Sequence, residues 1–223
     1  MIPSALILAS NSPRRRELLS CFQLPFRVSP VFINEDSMPG EQPGPYVMRL
    51  AMTKGKVAGS AAQPGELVIS ADTTVADGAQ LLGKPANEDE AWQMLDQLRN
   101  RTHQVYTALA VSDPHSGRME TRLVRSDVRM RNYSDAEMRA YIATRDPFDK
   151  AGGYAIQNEA FHPVEELNGC YFNVVGLPLC QLARLLQMFD LALLPRSGSG
   201  AIFDLPHECL PCYYALLGMQ GSH

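Results

Sequence analysis

Three consecutive arginines follow a serine and a proline near the start of the chain, in the stretch SNSPRRRELL at residues 10–19. Ser12 is a good N-cap and Pro13 suits the first helical position, so the pattern predicts a helix with the arginines in its first turn. That end of a helix is the positive end of its dipole, where cations are unfavourable. An anion bound there would compensate, because backbone N–H and guanidinium groups both suit phosphate oxygens. Arginines extended into solvent are the alternative interpretation.

Further charged residues occur where a phosphate site could use them. An apolar run at residues 67–69 leads to Asp72, which we expect near the carboxyl end of a strand, where active-site groups of open α/β sheets commonly lie. Lys54 falls on a predicted helix, Lys84 precedes a proline and Lys150 lies in a glycine-containing loop. Each residue alone is more often a turn former or a solvated side chain. Their combination with the arginine turn favours a binding site.

The elements that must position these residues follow from hydrophobic periodicity and turn signals. Strands and helices alternate in the first half of the chain, and a turn at residues 113–117 joins two strand patterns into a β-hairpin. Two short strand-like stretches are expected after the glycine-containing loop. The predicted strands are residues 6–9, 26–31, 67–69, 103–112 and 119–131, and the predicted helices begin at Ser12, Tyr46, Asn87, Ser134 and Pro178.

Length and composition indicate an α/β protein with one globular domain. The chain has 223 residues, 45% of them hydrophobic, and a formal net charge of −4, which argues against a nucleic-acid-binding protein. The apolar runs are far shorter than the ~20 residues of a membrane-spanning helix. The N-terminus lacks the pattern of a signal peptide, so we expect a cytoplasmic protein.

The C-terminal region differs from the rest of the chain. Residues 1–194 are predicted to form the globular domain, and PRSGSG at residues 195–200 is typical of a flexible linker. Residues 195–223 are therefore assigned as a linker and a C-terminal extension of unassigned role. The extension contains Cys209 and Cys212, which lack a second ligand pair and are interpreted as incidental thiols.

Four motifs, LASNSPRRRELL, ISADTTV, LLGKP and DKAGGYAIQ, occur in this order and at separations that resemble the Maf family of nucleoside triphosphate pyrophosphatases. The resemblance covers about residues 5–190. It implies an α/β fold in which an elongated mixed sheet, flanked by helices, has a central cleft between two lobes. It also implies hydrolysis of a nucleoside triphosphate to the monophosphate and pyrophosphate, with Mg²⁺ or Mn²⁺ as cofactor.

The resemblance assigns roles to individual residues. Asp72 is the implied general base, and Glu35 and Asp72 are the implied metal ligands. Oxygen donors of this kind suit hard divalent cations that also bind phosphates. The implied phosphate-binding residues are Ser10, Arg15, Lys54, Lys84 and Lys150.

Three positions separate two branches of the family. Arg14, Thr73 and Gln157 match the branch that resembles dTTP/UTP pyrophosphatases, whereas the 7-methyl-GTP branch has Trp, Gln and Glu there. Gln157 also offers a donor and an acceptor, which suits the edge of thymine or uracil. The chain departs from the family pattern at Asn158 and Ser70, where glycine is usual.

Two other functions stay open from the sequence. One is a pyrophosphatase for 7-methyl-GTP or another modified nucleotide, and the other is a non-catalytic nucleotide-binding regulator of cell division. The presence of Glu35, Asp72 and Lys84 favours an enzyme. The expected partner is a nucleoside triphosphate, with no nucleic acid and no membrane, and a homodimer is expected from the frequency of such assemblies.

Overall fold

A seven-stranded mixed sheet forms the centre of the computed structural model, which describes residues 5–22 and 24–191. Its order is β2-β1-β3-β5-β6-β7, with β4 paired to β3. β1 runs parallel to β2 and β3, and the other pairs are antiparallel. The strands are β1 (Ala5–Leu8), β2 (Phe26–Val28), β3 (Glu66–Asp77), β4 (Gln80–Leu82), β5 (Thr102–Asp113), β6 (Arg118–Met130) and β7 (Val164–Asn168).

Helices flank the sheet, as the α/β prediction requires. Three of them begin at caps that the sequence predicts: Ser12 and Asn87 each accept a backbone N–H, and Ser134 forms a capping box with Glu137. The helices are α1 (Pro13–Ser20), α2 (Pro43–Gly59), α3 (Glu88–Leu98), α4 (Asp135–Ala143), α5 (Tyr171–Val175) and α6 (Leu179–Gln187).

Several details of the sequence-based prediction are wrong. Helix α2 begins at Pro43 and not at Tyr46, and strand β2 ends at Val28 and not at residue 31. Strand β3 does not end before Asp72 but continues through Asp77, because residues 68–76 pair with β5 along their whole length. The two strand-like stretches expected after the glycine-containing loop are one strand, β7, and the short helix α5. The β-hairpin of β5 and β6 is confirmed.

Two hydrophobic clusters pack against different parts of the long strands. Ile69 and Leu109 belong to a cluster with α1 and α6, and Val75 and Val105 belong to a cluster with α3 and α4. β3 and β5 therefore pass from one cluster to the other. Residues 72–74 of β3 belong to neither cluster and lie between the two.

The same segment of β3 lies beside a gap in the sheet. On one side, β1 pairs with residues 66–69 and β4 pairs with residues 75–77. Among the described residues, 70–74 have no strand partner on that side. Successive side chains of a strand point to opposite faces. Side chains from both faces of β3 can therefore reach a ligand in the gap.

The predicted C-terminal extension, residues 195–223, lies outside the described residues, and so do Cys209 and Cys212. Within the described part of the chain, no helix is both long enough and apolar enough to cross a membrane.

Candidate active site

A cavity of about 620 Å³ opens at the gap in the sheet. Asp72 lies immediately behind this cavity, in contact with a lysine of its wall. The other residues that the sequence predicts for the site all line the cavity: Ser10, Arg14, Arg15, Glu35, Lys54, Thr73, Lys84, Lys150 and Gln157. The fold thus brings together residues from six separate segments of the chain.

Lys54 joins the two carboxylates that the sequence singles out. Its side chain is buried on α2, and Nζ lies 2.5 Å from Asp72 Oδ1 and 2.6 Å from Glu35 Oε1. Burial raises the pKa of Asp72 despite the opposing charges of Lys54 and Arg15. Burial also acts on Glu35, although its side chain is 54% exposed, but there the hydrogen bond and charge of Lys54 prevail and lower the pKa. The two carboxyl groups therefore have pKa values shifted in opposite directions.

Glu35 and Asp72 fit a divalent cation that is shared with a phosphate ligand. No group of three or more His, Cys, Asp or Glu side chains in the described residues is placed to hold a metal alone. Mg²⁺, however, commonly takes one or two carboxylates and completes its coordination with phosphates and water. The two carboxylates meet at a single ammonium group, which marks a position where positive charge is stabilised.

Arg15 is held by neutral oxygen atoms. Its Nη2 donates to Thr73 Oγ1 at 2.9 Å, its Nε donates to the Gly176 carbonyl at 2.9 Å, and its Nη1 donates to Ser10 Oγ at 3.3 Å. These bonds fix the direction of the guanidinium plane without neutralising its charge. Arg15 therefore keeps a full positive charge at the cavity wall.

Glycine is required at position 176. Its φ of +115° lies in the left-handed region, and an added Cβ would lie 3.2 Å from Thr73 Oγ1 and 3.6 Å from Arg15 Nε. Gly176 follows α5 and ends that helix. Gly176 therefore both ends helix α5 and lets the backbone approach Arg15 closely.

Arg14 and Lys150 share a carboxylate. Asp149 accepts from Arg14 Nη1 at 2.9 Å and from Lys150 Nζ at 2.6 Å, and Lys150 also donates to Asp146 Oδ1 at 2.7 Å. Although burial opposes ionisation, hydrogen bonds from Lys150 and other donors lower the pKa of both aspartates. The carboxylates hold the two cations in place at the cavity wall. Arg16, the third arginine of the motif, is exposed.

Two short loops bring Lys84 and Lys150 to the same cavity. The backbone N–H of Gly152 donates to the Gly83 carbonyl at 2.9 Å, which ties the residue before Lys84 to the loop after Lys150. Gly152 has a φ of +70°, and a Cβ there would lie 2.9 Å from Val75 Cγ1. The glycine lets the loop pack directly on β3.

Gln157 is exposed at the cavity, and its loop is held by its neighbour. Asn158 Nδ2 donates to Asp146 Oδ2 at 3.2 Å, and Asn158 Oδ1 accepts the backbone N–H of Phe161 at 2.8 Å. Asn158 does not adopt a positive φ, so an asparagine is compatible with this backbone. Ser70, the other departure from the family pattern, donates to the Ala51 carbonyl at 2.8 Å.

Sequence reasoning missed several residues that organise the site. Asp149 stands beside Lys150 in the motif DKAGGYAIQ, so its position was a usable signal. Asp146 likewise lies only four residues before its ion-pair partner Lys150. Thr107 and Gly176 give no comparable signal, because their partners are distant in sequence, and they enter the site only through contacts that the fold creates.

Comparison with known proteins shows the family to which the chain belongs. A family model described as Maf-like protein matches residues 5–189. A protein of Myxococcus xanthus (strain DK1622), named dTTP/UTP pyrophosphatase, is 47% identical over 188 residues, which are 84% of this chain and 94% of that protein. Proteins with the same name from Geobacter sp. (strain M21) and Anaeromyxobacter dehalogenans (strain 2CP-1) are 43% and 44% identical, over 83% and 91% of this chain and 95% and 97% of theirs.

A solved structure, that of the Staphylococcus aureus Ham1 protein, aligns with a TM-score of 0.41 at 16% identity. The alignment covers 58% of this chain and 73% of that chain.

Proposed function

The chain belongs to the Maf family, and we propose that it is a nucleoside triphosphate pyrophosphatase that hydrolyses dTTP and UTP to the monophosphate and pyrophosphate. The observation that carries this proposal is the convergence of five cationic side chains and two adjacent carboxylates on one cavity. The names of the relatives from three bacteria support the choice of substrates.

The cations supply the phosphate-binding part of the site. A triphosphate carries several negative charges, and guanidinium and ammonium groups bind and stabilise them in the transition state. Arg14 and Arg15 lie in the first turn of α1, so backbone N–H groups at the start of that helix add further donors. Arg16 is exposed, does not line the cavity and has no part in the proposed site.

The carboxylates supply the hydrolytic part of the site. Asp72 is the proposed general base that accepts the proton of the attacking water. Glu35 and Asp72 would hold Mg²⁺ or Mn²⁺ together with the phosphates, and such a cation neutralises charge that develops on the reacting phosphate.

Specificity for thymine and uracil is assigned to Arg14, Thr73 and Gln157. All three line the cavity, and the exposed amide of Gln157 can donate and accept toward a base edge. Arg14 is fixed by Asp149, and Thr73 is fixed by Arg15. The loop of Gln157 is hydrogen-bonded through Asn158 to Asp146, which also accepts from Lys150. The same aspartate therefore holds the loop proposed to recognise the base and a lysine proposed to bind phosphate.

The test is pyrophosphate release from dTTP, UTP, CTP, 7-methyl-GTP and ITP with Mg²⁺ or Mn²⁺. We expect release from dTTP and UTP first, a loss of about 10²–10⁴-fold in kcat for Asp72→Asn, and a large loss for Arg15→Ala. Arg16→Ala is the matched control and should retain full activity, because Arg16 is exposed beside the same arginines.

Each contrary result has a defined meaning. Preferred turnover of 7-methyl-GTP or ITP would contradict the assignment of dTTP and UTP as substrates but would still support a nucleoside triphosphate pyrophosphatase. Tight binding of a triphosphate without turnover, by protein that is folded, would contradict the enzyme and favour the nucleotide-binding regulator.

A further inference from the structure

Thr107 forms a buried hydrogen-bond chain that ends at the cavity. It lies on β5 directly opposite Thr73 of β3 and is fully buried. Its Oγ1 donates to the backbone carbonyl of Asn173 at 2.8 Å and lies 2.9 Å from Thr73 Oγ1. Thr73 Oγ1 in turn accepts from Arg15 Nη2. Thr107 does not line the cavity, whereas Thr73 does.

The chemistry of these groups fixes the direction of each hydrogen bond. A hydroxyl has one proton to donate and two lone pairs to accept with. A carbonyl oxygen can only accept, so the proton of Thr107 is committed to Asn173. The bond between the two threonines must therefore be donated by Thr73. The Arg15 guanidinium can only donate, and it takes one lone pair of Thr73.

Thr73 is thus left with one lone pair and no proton for a ligand. The anchor of this arrangement is rigid, because the Asn173 side chain donates to the Val105 carbonyl at 3.0 Å and to Ser126 Oγ at 2.9 Å. Asn173 is itself fully buried. The Asn173 side chain is thus bonded to β5 and β6, which holds the residue whose backbone carbonyl accepts from Thr107.

We propose that Thr107 is a positioning residue for substrate specificity, which makes the Thr73 hydroxyl an acceptor toward the substrate base. The inference rests on the proposed function. Uracil and thymine carry a single base N–H, at N3, so an acceptor-only hydroxyl can bond these bases only there. Cytosine has an unprotonated N3, which also accepts, and its N–H donors lie on the exocyclic N4. A hydroxyl placed to accept from N3–H of uracil therefore faces an acceptor in cytosine, which leaves both groups unsatisfied. Thr107 thereby favours UTP and dTTP over CTP without touching the nucleotide.

The experiment is the ratio of kcat/KM for UTP to kcat/KM for CTP in Thr107 variants. Thr107→Val keeps the side-chain shape and removes the hydroxyl, which frees the Thr73 proton to donate to N3 of cytosine. We expect the ratio to fall at least about fivefold, in line with the cost of an unsatisfied polar group, with most of the change a gain in kcat/KM for CTP. Thr107→Ser keeps the hydroxyl and should keep the ratio within about twofold of wild type.

Two further variants separate this role from a structural one. Thr74→Val is the matched control, because Thr74 is also a buried threonine of the central strands but lies outside the hydrogen-bond chain. It should leave the ratio unchanged. Thr107→Ala also removes the hydroxyl, with a smaller side chain, and should lower the ratio as Thr107→Val does. It replaces the valine variant in the test if that variant does not fold.

The outcomes distinguish this inference from the proposed function. An equal loss on UTP and CTP in both hydroxyl-free variants, or a wild-type protein that does not prefer UTP to CTP, overturns the inference and leaves the pyrophosphatase standing. A wild-type protein that releases pyrophosphate from neither UTP nor dTTP overturns both.

Discussion

Replacing Lys54 by methionine should destabilise the protein strongly, because it leaves Asp72 buried without its ion-pair partner. Both side chains of the pair are about 10% exposed. Removing one partner of a buried pair typically costs about 3–5 kcal/mol of unfolding free energy. For a chain of this length, each 1 kcal/mol lowers Tm by about 2–4 °C. We therefore expect a decrease in Tm of the order of 10 °C.

The destabilisation should also depend on pH. Burial already raises the pKa of Asp72, and the variant loses the charge and the hydrogen bond of Lys54, which oppose that rise. A carboxyl group whose pKa is higher in the folded state binds more protons when folded, so stability falls as pH rises from the unfolded pKa toward the folded one. The slope can reach about 1.4 kcal/mol per pH unit for one group. The variant should therefore recover part of its lost stability at pH 5 relative to pH 8.

Urea denaturation between pH 5 and pH 8, in buffer with EDTA, measures both effects. Lys56→Met is the matched control, because Lys56 is an exposed lysine on the same helix, and it should change the unfolding free energy by less than about 0.5 kcal/mol. The double variant Lys54→Met/Asp72→Asn should be more stable than Lys54→Met at pH 8. A loss below 1 kcal/mol that does not vary with pH would refute the account of this pair.

Three further substitutions test other parts of the structure. Gly176→Ala should cost about 1–2 kcal/mol of stability and lower activity, because φ is +115° and the added Cβ would press on Thr73. Gly83→Ala is the control and should be near neutral in thermal denaturation, because a Cβ there meets open space. Equal effects of the two substitutions would contradict the steric argument. Burial lowers the pKa of His103 to about 4, so stability should fall as pH decreases from about 6.5 toward 4. His103→Gln should flatten that dependence in urea titrations, and an unchanged slope would exclude His103 as its source. Ser134→Ala breaks the α4 capping box and should cost about 1 kcal/mol, a value that an unchanged urea midpoint would contradict.

Local signals in the sequence predicted local structure well. The helices at Ser12, Asn87 and Ser134 begin where a capping side chain stands before an apolar stripe, and such signals act within one turn. The β-hairpin of residues 102–130 is likewise confirmed, because a tight turn joins neighbouring segments.

The position of Asp72 could not be predicted in the same way. The apolar run ends before it, yet Thr73 and Val75 continue the strand because they pair with β5, which lies some thirty residues further along the chain. The gap beside which Asp72 lies arises from where β1 and β4 end. Pairings of this kind depend on tertiary structure and leave no local pattern.

The distant partners of the two arginines were also beyond the sequence. Asp149 bonds Arg14 across 135 positions of the chain, and Gly176 bonds Arg15 across 161. Three of the motifs contain Arg14, Arg15, Lys84 and Lys150, because each motif is a contiguous stretch, whereas Lys54 lies outside all four. Asp149 and Gly176 come from other segments, and only the folded structure identifies them as partners of the arginines.

The central claim is that this site cleaves the triphosphate between its α and β phosphates. The most direct test identifies the products formed from UTP by the full chain with Mg²⁺, using ³¹P NMR. The account predicts UMP and pyrophosphate in equal amounts, and their loss in Asp72→Asn. Formation of UDP and orthophosphate, or unchanged product formation in Asp72→Asn, would contradict it.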